Sequence, residues 1–241
     1  MKKLIAYITC AYPDKNFTID LINSLKENGV NGIELGIPFS DPVADGPIIQ
    51  EADKRALENG FKMDDLFEVG EKTGNKIDTY WMGYFNNFYH KGYDFMVKKA
   101  KEANIKGFII PDLPFEEAQY YESKFPLISF VAPTDSKERI KKILKNPKEF
   151  IYLVAYAGIT GAAKQEDLKE IIEYIKNITS TPLFIGFGVN EKTAKEKAKG
   201  VDGVIVGSAF IKILLDDSLK NSEKIKNISK TAKNIKEIIN S

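Results

Sequence analysis

The sequence contains very few of the side chains from which many enzyme sites are built. Its 241 residues include one cysteine, Cys10, and one histidine, His90. A disulfide within the chain is therefore impossible, and zinc sites made from several cysteines or histidines are excluded. A Ser-His-Asp triad would have only one candidate base.

An excess of charge and a long apolar run are also missing. Lys and Arg number 35 against 34 for Asp and Glu, so electrostatics gives no reason to expect a nucleic acid or an anionic membrane as partner. The first apolar run, LIAYITC (4–10), is too short for a signal peptide or a membrane span. We therefore expect a reduced, cytoplasmic protein.

Short apolar runs alternate with amphipathic stretches along the whole chain. The runs are almost continuous in apolar residues, which is typical of parallel strands buried on both faces. They are LIAYITC (4–10), GIELGIP (32–38), IDTYWMGYF (77–85), GFIIPD (107–112), LISFVAP (127–133), FIYLVAYA (150–157), PLFIGFGV (182–189) and DGVIVGSA (202–209). Between them, apolar residues recur at helical spacing.

Eight strand–helix units in a chain of this length predict an α/β protein, a single (β/α)8 TIM-barrel domain over residues 1–241. An open, doubly wound sheet is the alternative. Its dinucleotide fingerprint, G-x-G-x-x-G, does not follow the first strand, which ends in Cys10-Ala11-Tyr12-Pro13.

The last three predicted strands end in small residues. Gly158-Ile-Thr-Gly161 follows strand six, Gly186-Phe-Gly188 ends strand seven, and Gly207-Ser208 precedes a short apolar helix. Glycines let backbone N–H groups approach an anion closely, and barrels often bind phosphate after strands seven and eight. The three clusters together predict a phosphate site that needs no Lys or Arg.

Two kinds of acidic position stand out in residues 34–50. Glu34 lies inside strand two, where burial raises the pKa of a carboxyl group toward the range that a general acid needs. Asp41 and Asp45 lie on a long loop among prolines and glycines, and long ordered barrel loops often carry function. Glu34 and Asp45 together predict acid–base chemistry without a metal.

The segment ELGIPFSDPVADGPIIQ (34–50) resembles the signature of tryptophan synthase alpha subunits. PDLPFEE (111–117), AGITGA (157–162), GFGV (186–189) and VGSA (206–209) resemble further family segments in the same order. The resemblance implies a TIM-barrel lyase that splits indole-3-glycerol phosphate into indole and D-glyceraldehyde 3-phosphate. It also implies a heterotetramer of two alpha and two beta subunits, in which the beta subunit holds pyridoxal phosphate and receives indole. No cofactor is implied for this chain.

Roles for individual residues follow from the same resemblance. Glu34 would protonate indole C3 and help to remove the hydroxyl proton, while Asp45 would pair with the indole N–H. The implied substrate-binding positions are Tyr7, Tyr84, Tyr152, Thr160, Gly161, Phe187, Gly188, Gly207 and Ser208. Asp41 and Asn86 match surfaces that face the beta subunit.

Two features depart from the family's pattern. The chain begins almost directly at strand one, where the family usually has an extra helix under the barrel. Tyr156 stands where family members commonly have Arg.

Two other functions fit parts of the pattern. Another phosphate-binding barrel, such as an isomerase or an indole-glycerol-phosphate synthase-like protein, would need a different acid–base set, typically with Lys, Cys or a second Asp at strand ends. The interiors of the predicted strands contain no Lys. A regulatory subunit with weak catalysis would bind ligand and activate its partner, but the intact Glu34 and Asp45 argue against lost chemistry.

Overall fold

Eight parallel strands form the centre of the molecule. The computed structural model describes residues 1–155 and the backbone from residue 165 to 241, with side chains from residue 168 onward. The strands are β1 (Lys3–Thr9), β2 (Gly32–Gly36), β3 (Asp78–Met82), β4 (Gly107–Ile109), β5 (Ser129–Val131), β6 (Ile151–Val154), β7 (Leu183–Gly186) and β8 (Gly203–Val206). All eight predicted strands are confirmed, and each ends before its apolar run does.

The strands close into a barrel. Seven neighbouring pairs give the order β4-β3-β2-β1-β8-β7-β6-β5. The two outer strands then meet, because the Phe108 N–H donates to the Pro126 carbonyl at 2.9 Å and the Ile128 N–H donates to the Phe108 carbonyl at 3.0 Å. An open doubly wound sheet would leave these two edges apart, so the barrel prediction is confirmed.

Helices on the outside connect the strands. Asp14 starts the first one by accepting a hydrogen bond from the Phe17 N–H at 2.9 Å, and Leu21 and Leu25 then lie on its buried face. The helices are α1 (Lys15–Glu27), α2 (Pro47–Glu58), α3 (Met63–Thr73), α4 (Phe85–Lys91), α5 (Tyr93–Glu102), α6 (Phe115–Ala118), α7 (Lys137–Ile143), α8 (Gln165–Ile178), α9 (Ala194–Lys197), α10 (Ser208–Leu214) and α11 (Asn221–Ile238).

The amino end of the barrel is filled by aromatic side chains. Phe150 stacks on Phe184 with ring centroids 4.9 Å apart, and its edge contacts Tyr80 at 5.1 Å. The Tyr80 hydroxyl donates to Glu149 at 3.2 Å. The barrel interior at this end is therefore packed and its buried hydroxyl has a partner.

The two ends of the chain meet beneath the barrel. The Lys2 N–H donates to the Asn240 side chain at 2.7 Å, and the Lys236 ammonium donates to the Lys2 carbonyl at 2.6 Å. The last helix thus holds the start of β1, which is the first element in the chain.

Candidate active site

A cavity of about 500 Å³ opens at the carboxyl ends of the strands. Active sites of TIM barrels lie at this end, because the loops that follow the strands converge there. Residues that line the cavity include Tyr7, Glu34, Asp45, Ile48, Ile49, Met82, Tyr152, Phe187, Gly188, Lys192, Gly207, Ser208 and Lys212. The structure therefore brings together eight of the site residues predicted from the sequence: Tyr7, Glu34, Asp45, Tyr152, Phe187, Gly188, Gly207 and Ser208.

Glu34 is a buried carboxyl group in the middle of β2. Its side chain is 1% exposed, and its strand register places it between Tyr7 and Tyr80. Among the residues that the structure describes, Glu34 Oε1 has no hydrogen-bond partner. Burial, followed by the negative charge of Asp45, raises the pKa of Glu34 to about 8. The group therefore keeps its proton at neutral pH, as a general acid must.

Asp45 lies on the loop between β2 and α2 and also lines the cavity. The Tyr84 hydroxyl donates to Asp45 Oδ2 at 2.7 Å and accepts from the Ala44 N–H at 2.9 Å. Burial raises the pKa of Asp45, whereas the Tyr84 hydrogen bond lowers it. Asp45 is the carboxyl that its surroundings favour in the ionised form, since it accepts a hydrogen bond from Tyr84, whereas Glu34 Oε1 has no partner among the described residues.

Two tyrosines on the cavity wall depend on glycines in the neighbouring strands. A Cβ atom at Gly36 would lie 2.4 Å from the Tyr7 hydroxyl, and one at Gly186 would lie 2.3 Å from the Tyr152 hydroxyl. A side chain at either glycine would therefore displace the ring from its place. Burial raises the pKa of both tyrosines well above the ordinary value, so both stay neutral donors.

Backbone from the loops after β7 and β8 forms the opposite end of the cavity. Phe187 has a φ of 68°, in the left-handed region that a residue with a side chain seldom adopts. Gly188 has the same φ, and its carbonyl accepts from the Thr193 hydroxyl at 2.7 Å. Ser208 is the first residue of α10, where N–H groups have no partner within the helix.

Three of the other predicted positions lie outside the cavity lining. Tyr84 does not line the cavity with the other aromatic residues; it lies behind Asp45 and holds it. Asp41 and Asn86 are exposed and lie outside the cavity lining. Thr160 and Gly161, like Tyr156, lie outside the described residues.

Sequence reasoning missed several residues at the cavity. Ile48, Ile49 and Met82 contribute apolar wall, and nothing separates such residues from ordinary core in a sequence. Lys212 could have been found, because it follows Ser208 by four positions in a helix and so shares its face. The prediction of a phosphate site without cations thus omitted Lys192 and Lys212, both exposed side chains at the cavity's edge.

The described residues contain neither a metal-binding cluster nor a membrane-spanning helix. Within residues 1–155 and 165–241, His, Cys, Asp and Glu side chains nowhere gather in threes as a metal ion would require. In the same part of the chain, no helix combines the length and apolarity that crossing a membrane requires.

Comparison with known sequences identifies the family of the chain. The family model for the tryptophan synthase alpha chain matches residues 1–240. The tryptophan synthase alpha chain of Wolinella succinogenes is 54% identical, with 100% of this chain and 97% of the relative covered. That of Petrotoga mobilis is 40% identical, with 98% of this chain and 95% of the relative covered.

Solved structures show the same relationship. Tryptophan synthase subunit alpha from Campylobacter jejuni matches with a TM-score of 0.86 at 33% identity, covering 97% of this chain and 95% of that chain. A chain of tryptophan synthase from M. tuberculosis matches with a TM-score of 0.88 at 27% identity, covering 100% of this chain and 94% of that chain.

Proposed function

Because the chain belongs to the tryptophan synthase alpha chain family, it is the lyase of the alpha reaction, and we propose that Glu34 and Asp45 carry that reaction out. The alpha reaction cleaves indole-3-glycerol phosphate to indole and D-glyceraldehyde 3-phosphate. Indole passes to the partner, the tryptophan synthase beta chain, which holds pyridoxal phosphate. The observation that supports the catalytic roles is the buried Glu34 carboxyl, whose Oε1 has no hydrogen-bond partner among the described residues, on the wall of the cavity that Asp45 also lines.

The proposed cleavage starts with a proton transfer to the substrate. Glu34 gives its proton to indole C3, and the ring becomes a cation with the positive charge on its nitrogen. Asp45 accepts a hydrogen bond from the indole N–H and stabilises that charge, while Tyr84 fixes the orientation of the carboxylate. An ionised Asp45 and a protonated Glu34 are the states that their surroundings favour.

Bond cleavage follows and restores the catalyst. Glu34, now a carboxylate, takes the proton from the hydroxyl on the glycerol carbon attached to C3. The carbon–carbon bond breaks, its electron pair returns to the ring to form neutral indole, and the hydroxyl carbon becomes the aldehyde of glyceraldehyde 3-phosphate. Glu34 regains the proton it gave, so one carboxyl group acts as acid and then as base.

Substrate binding in this proposal uses both ends of the cavity. Tyr7, Tyr152 and Phe187 surround the indole, and Gly188, Gly207 and Ser208 bind the phosphate. Thr160 and Gly161, which follow β6 in the sequence, are proposed to contribute to binding, and Asp41 and Asn86 to face the beta chain. The mechanism needs only proton transfer and charge stabilisation, so we propose that this chain itself uses no cofactor. A single domain over residues 1–241 and a cytoplasmic location remain predictions.

Indole release from indole-3-glycerol phosphate, with and without the beta chain, tests the proposal. Glu34→Gln should lose roughly 10²–10⁴-fold in kcat, the range for removal of a general acid–base group. Asp45→Asn should lose roughly 10²-fold, as for one charge-stabilising group. Both variants should still bind substrate. If Glu34→Gln cleaves as fast as wild type, the catalytic assignment fails; if wild type with beta chain releases no indole, the alpha reaction itself fails.

A further inference from the structure

A third acidic side chain is buried near the cavity without lining it. Asp53 lies on α2 and is 2% exposed. The Thr9 hydroxyl donates to Asp53 Oδ1 at 3.5 Å, and the Phe39 N–H donates to Oδ2 at 3.4 Å. The two contacts join Asp53 to β1 and to the β2–α2 loop. Both are long for hydrogen bonds, so they suit a neutral carboxyl group better than an ionised one, whose burial they would offset only in small part.

The groups around Asp53 are mostly acidic. Burial and the charge of Asp45 raise its pKa to about 8, against smaller opposing effects of the Phe39 amide and the Thr9 hydroxyl. Tyr7 from β1 and Tyr84 from the start of α4 also face it, since the charge of Asp53 raises the pKa of both hydroxyls. Within the described part of the chain, no lysine or arginine is among the groups that shift the pKa of Asp53.

The contacts of Asp53 lead to Asp45 by a short route. Phe39, whose N–H donates to Asp53, is the third residue of the loop that carries Asp45. The Phe39 ring stacks on Tyr84 with centroids 5.1 Å apart and an interplanar angle of 22°. Tyr84 in turn donates to Asp45 at 2.7 Å. Displacement of Phe39 would therefore move the residue that orients Asp45.

We propose that Asp53 is a positioning residue for the cleavage reaction, which holds the start of the β2–α2 loop through Phe39 so that Tyr84 keeps Asp45 oriented toward the cavity. This inference rests on the proposed role of Asp45. Only the neutral carboxyl is compatible with this buried place. Ionised Asp53 would put a second negative charge beside Asp45, with no lysine or arginine of the described residues to offset it, and the loop would lose its position.

A distinctive pH dependence follows. The neutral forms of Glu34 and Asp53 are both lost as pH rises through about 8. Above that pH, activity of the wild type should fall with a logarithmic slope approaching about −2, because two protons are needed. With Asp53→Asn the slope should become about −1, since only Glu34 then titrates in that range.

The experiment measures kcat and KM of the complex with beta chain from about pH 6.5 to 9.5. Asp53→Ala removes both contacts and should lower kcat about tenfold at neutral pH, a modest misplacement effect, and Asp53→Asn should recover most of that loss. Glu58→Gln, which removes an exposed carboxyl group from the same helix, is the matched control and should keep the wild-type slope.

The results separate the two proposals. Recovery by Asp53→Asn together with its shallower slope would support the positioning role. A profile of Asp53→Asn that superimposes on the wild type would overturn it, even if Asp53→Ala fails to fold. Failure of the catalytic assignment appears elsewhere, as an active Glu34→Gln or an inactive wild type.

Discussion

The two ends of the barrel treat buried polar groups in opposite ways. At the amino end, the buried Tyr80 hydroxyl donates to Glu149, and aromatic rings fill the space around it. At the carboxyl end, Glu34 Oε1 has no partner among the described residues and faces a cavity of about 500 Å³. Tyr80 and Glu34 are register neighbours on adjacent strands, so both side chains point to the same side of the sheet. Stabilisation and chemistry are therefore separated by only a few ångströms within one barrel interior.

The difference shows that the fold is less stable at its carboxyl end because functional groups are buried there. A buried carboxyl group without a partner destabilises the folded state, and its raised pKa is the measurable sign of that cost. Three carboxyl groups with raised pKa, Glu34, Asp45 and Asp53, lie at or near the cavity. Asp45 is the most accessible of the three, which agrees with its being the one favoured in the ionised form.

Replacement of the Glu34 carboxyl group should stabilise the folded protein at alkaline pH. The unfolded chain releases this proton above about pH 4, whereas the folded protein holds it until about pH 8. The free energy of unfolding of the wild type therefore falls as pH rises through this window. Urea unfolding should show Glu34→Gln more stable by on the order of 2 kcal/mol at alkaline pH, and close to wild type near pH 4. Equal stability at both pH values would mean that Glu34 is not strained by burial.

Removal of a hydroxyl group at the amino end of the barrel should lower the stability of the protein and leave its activity nearly unchanged. Tyr80→Phe deletes the hydrogen bond to Glu149, and its unfolding free energy should fall by about 1 kcal/mol. Its rate of indole release should stay within about twofold of wild type, because Tyr80 is outside the cavity lining. The matched variant at the other end is Tyr84→Phe, which removes the donor to Asp45 and should lower kcat. A Tyr80→Phe protein with wild-type stability and reduced cleavage would reverse this division of roles.

The smallest effect is expected at the phosphate end. Lys212 is exposed on the cavity's edge, so its attraction for a phosphate is weakened by solvent and salt. Lys212→Ala should raise KM about two- to fivefold at low salt with kcat unchanged, and the difference should shrink as salt is added. Lys230→Ala, an exposed lysine on α11, is the control. A KM for Lys212→Ala that equals the wild-type value at low salt would show that backbone groups alone recognise the phosphate.

Much of this picture was predictable from sequence for physical reasons. Strands buried on both faces leave continuous apolar runs, and Glu34 was conspicuous because a carboxyl group interrupts such a run. Tyr84 was predicted as a wall residue, yet it holds Asp45, because sequence does not show which way a ring's hydroxyl points. The burial of Asp53 could be predicted from sequence, since Asp53 shares the buried face of α2 with Ala52 and Ala56.

Infrared titration of Glu34 examines the buried acid itself. The C=O stretch of a protonated carboxyl group, taken as the difference between wild type and Glu34→Gln, follows this one proton as pH rises. A band present at neutral pH and lost with a midpoint near pH 8 is the expected result. A Glu34 that is already ionised at about pH 6, near the range of ordinary exposed carboxyl groups, would show that burial does not hold the proton and that the group cannot start the reaction as an acid.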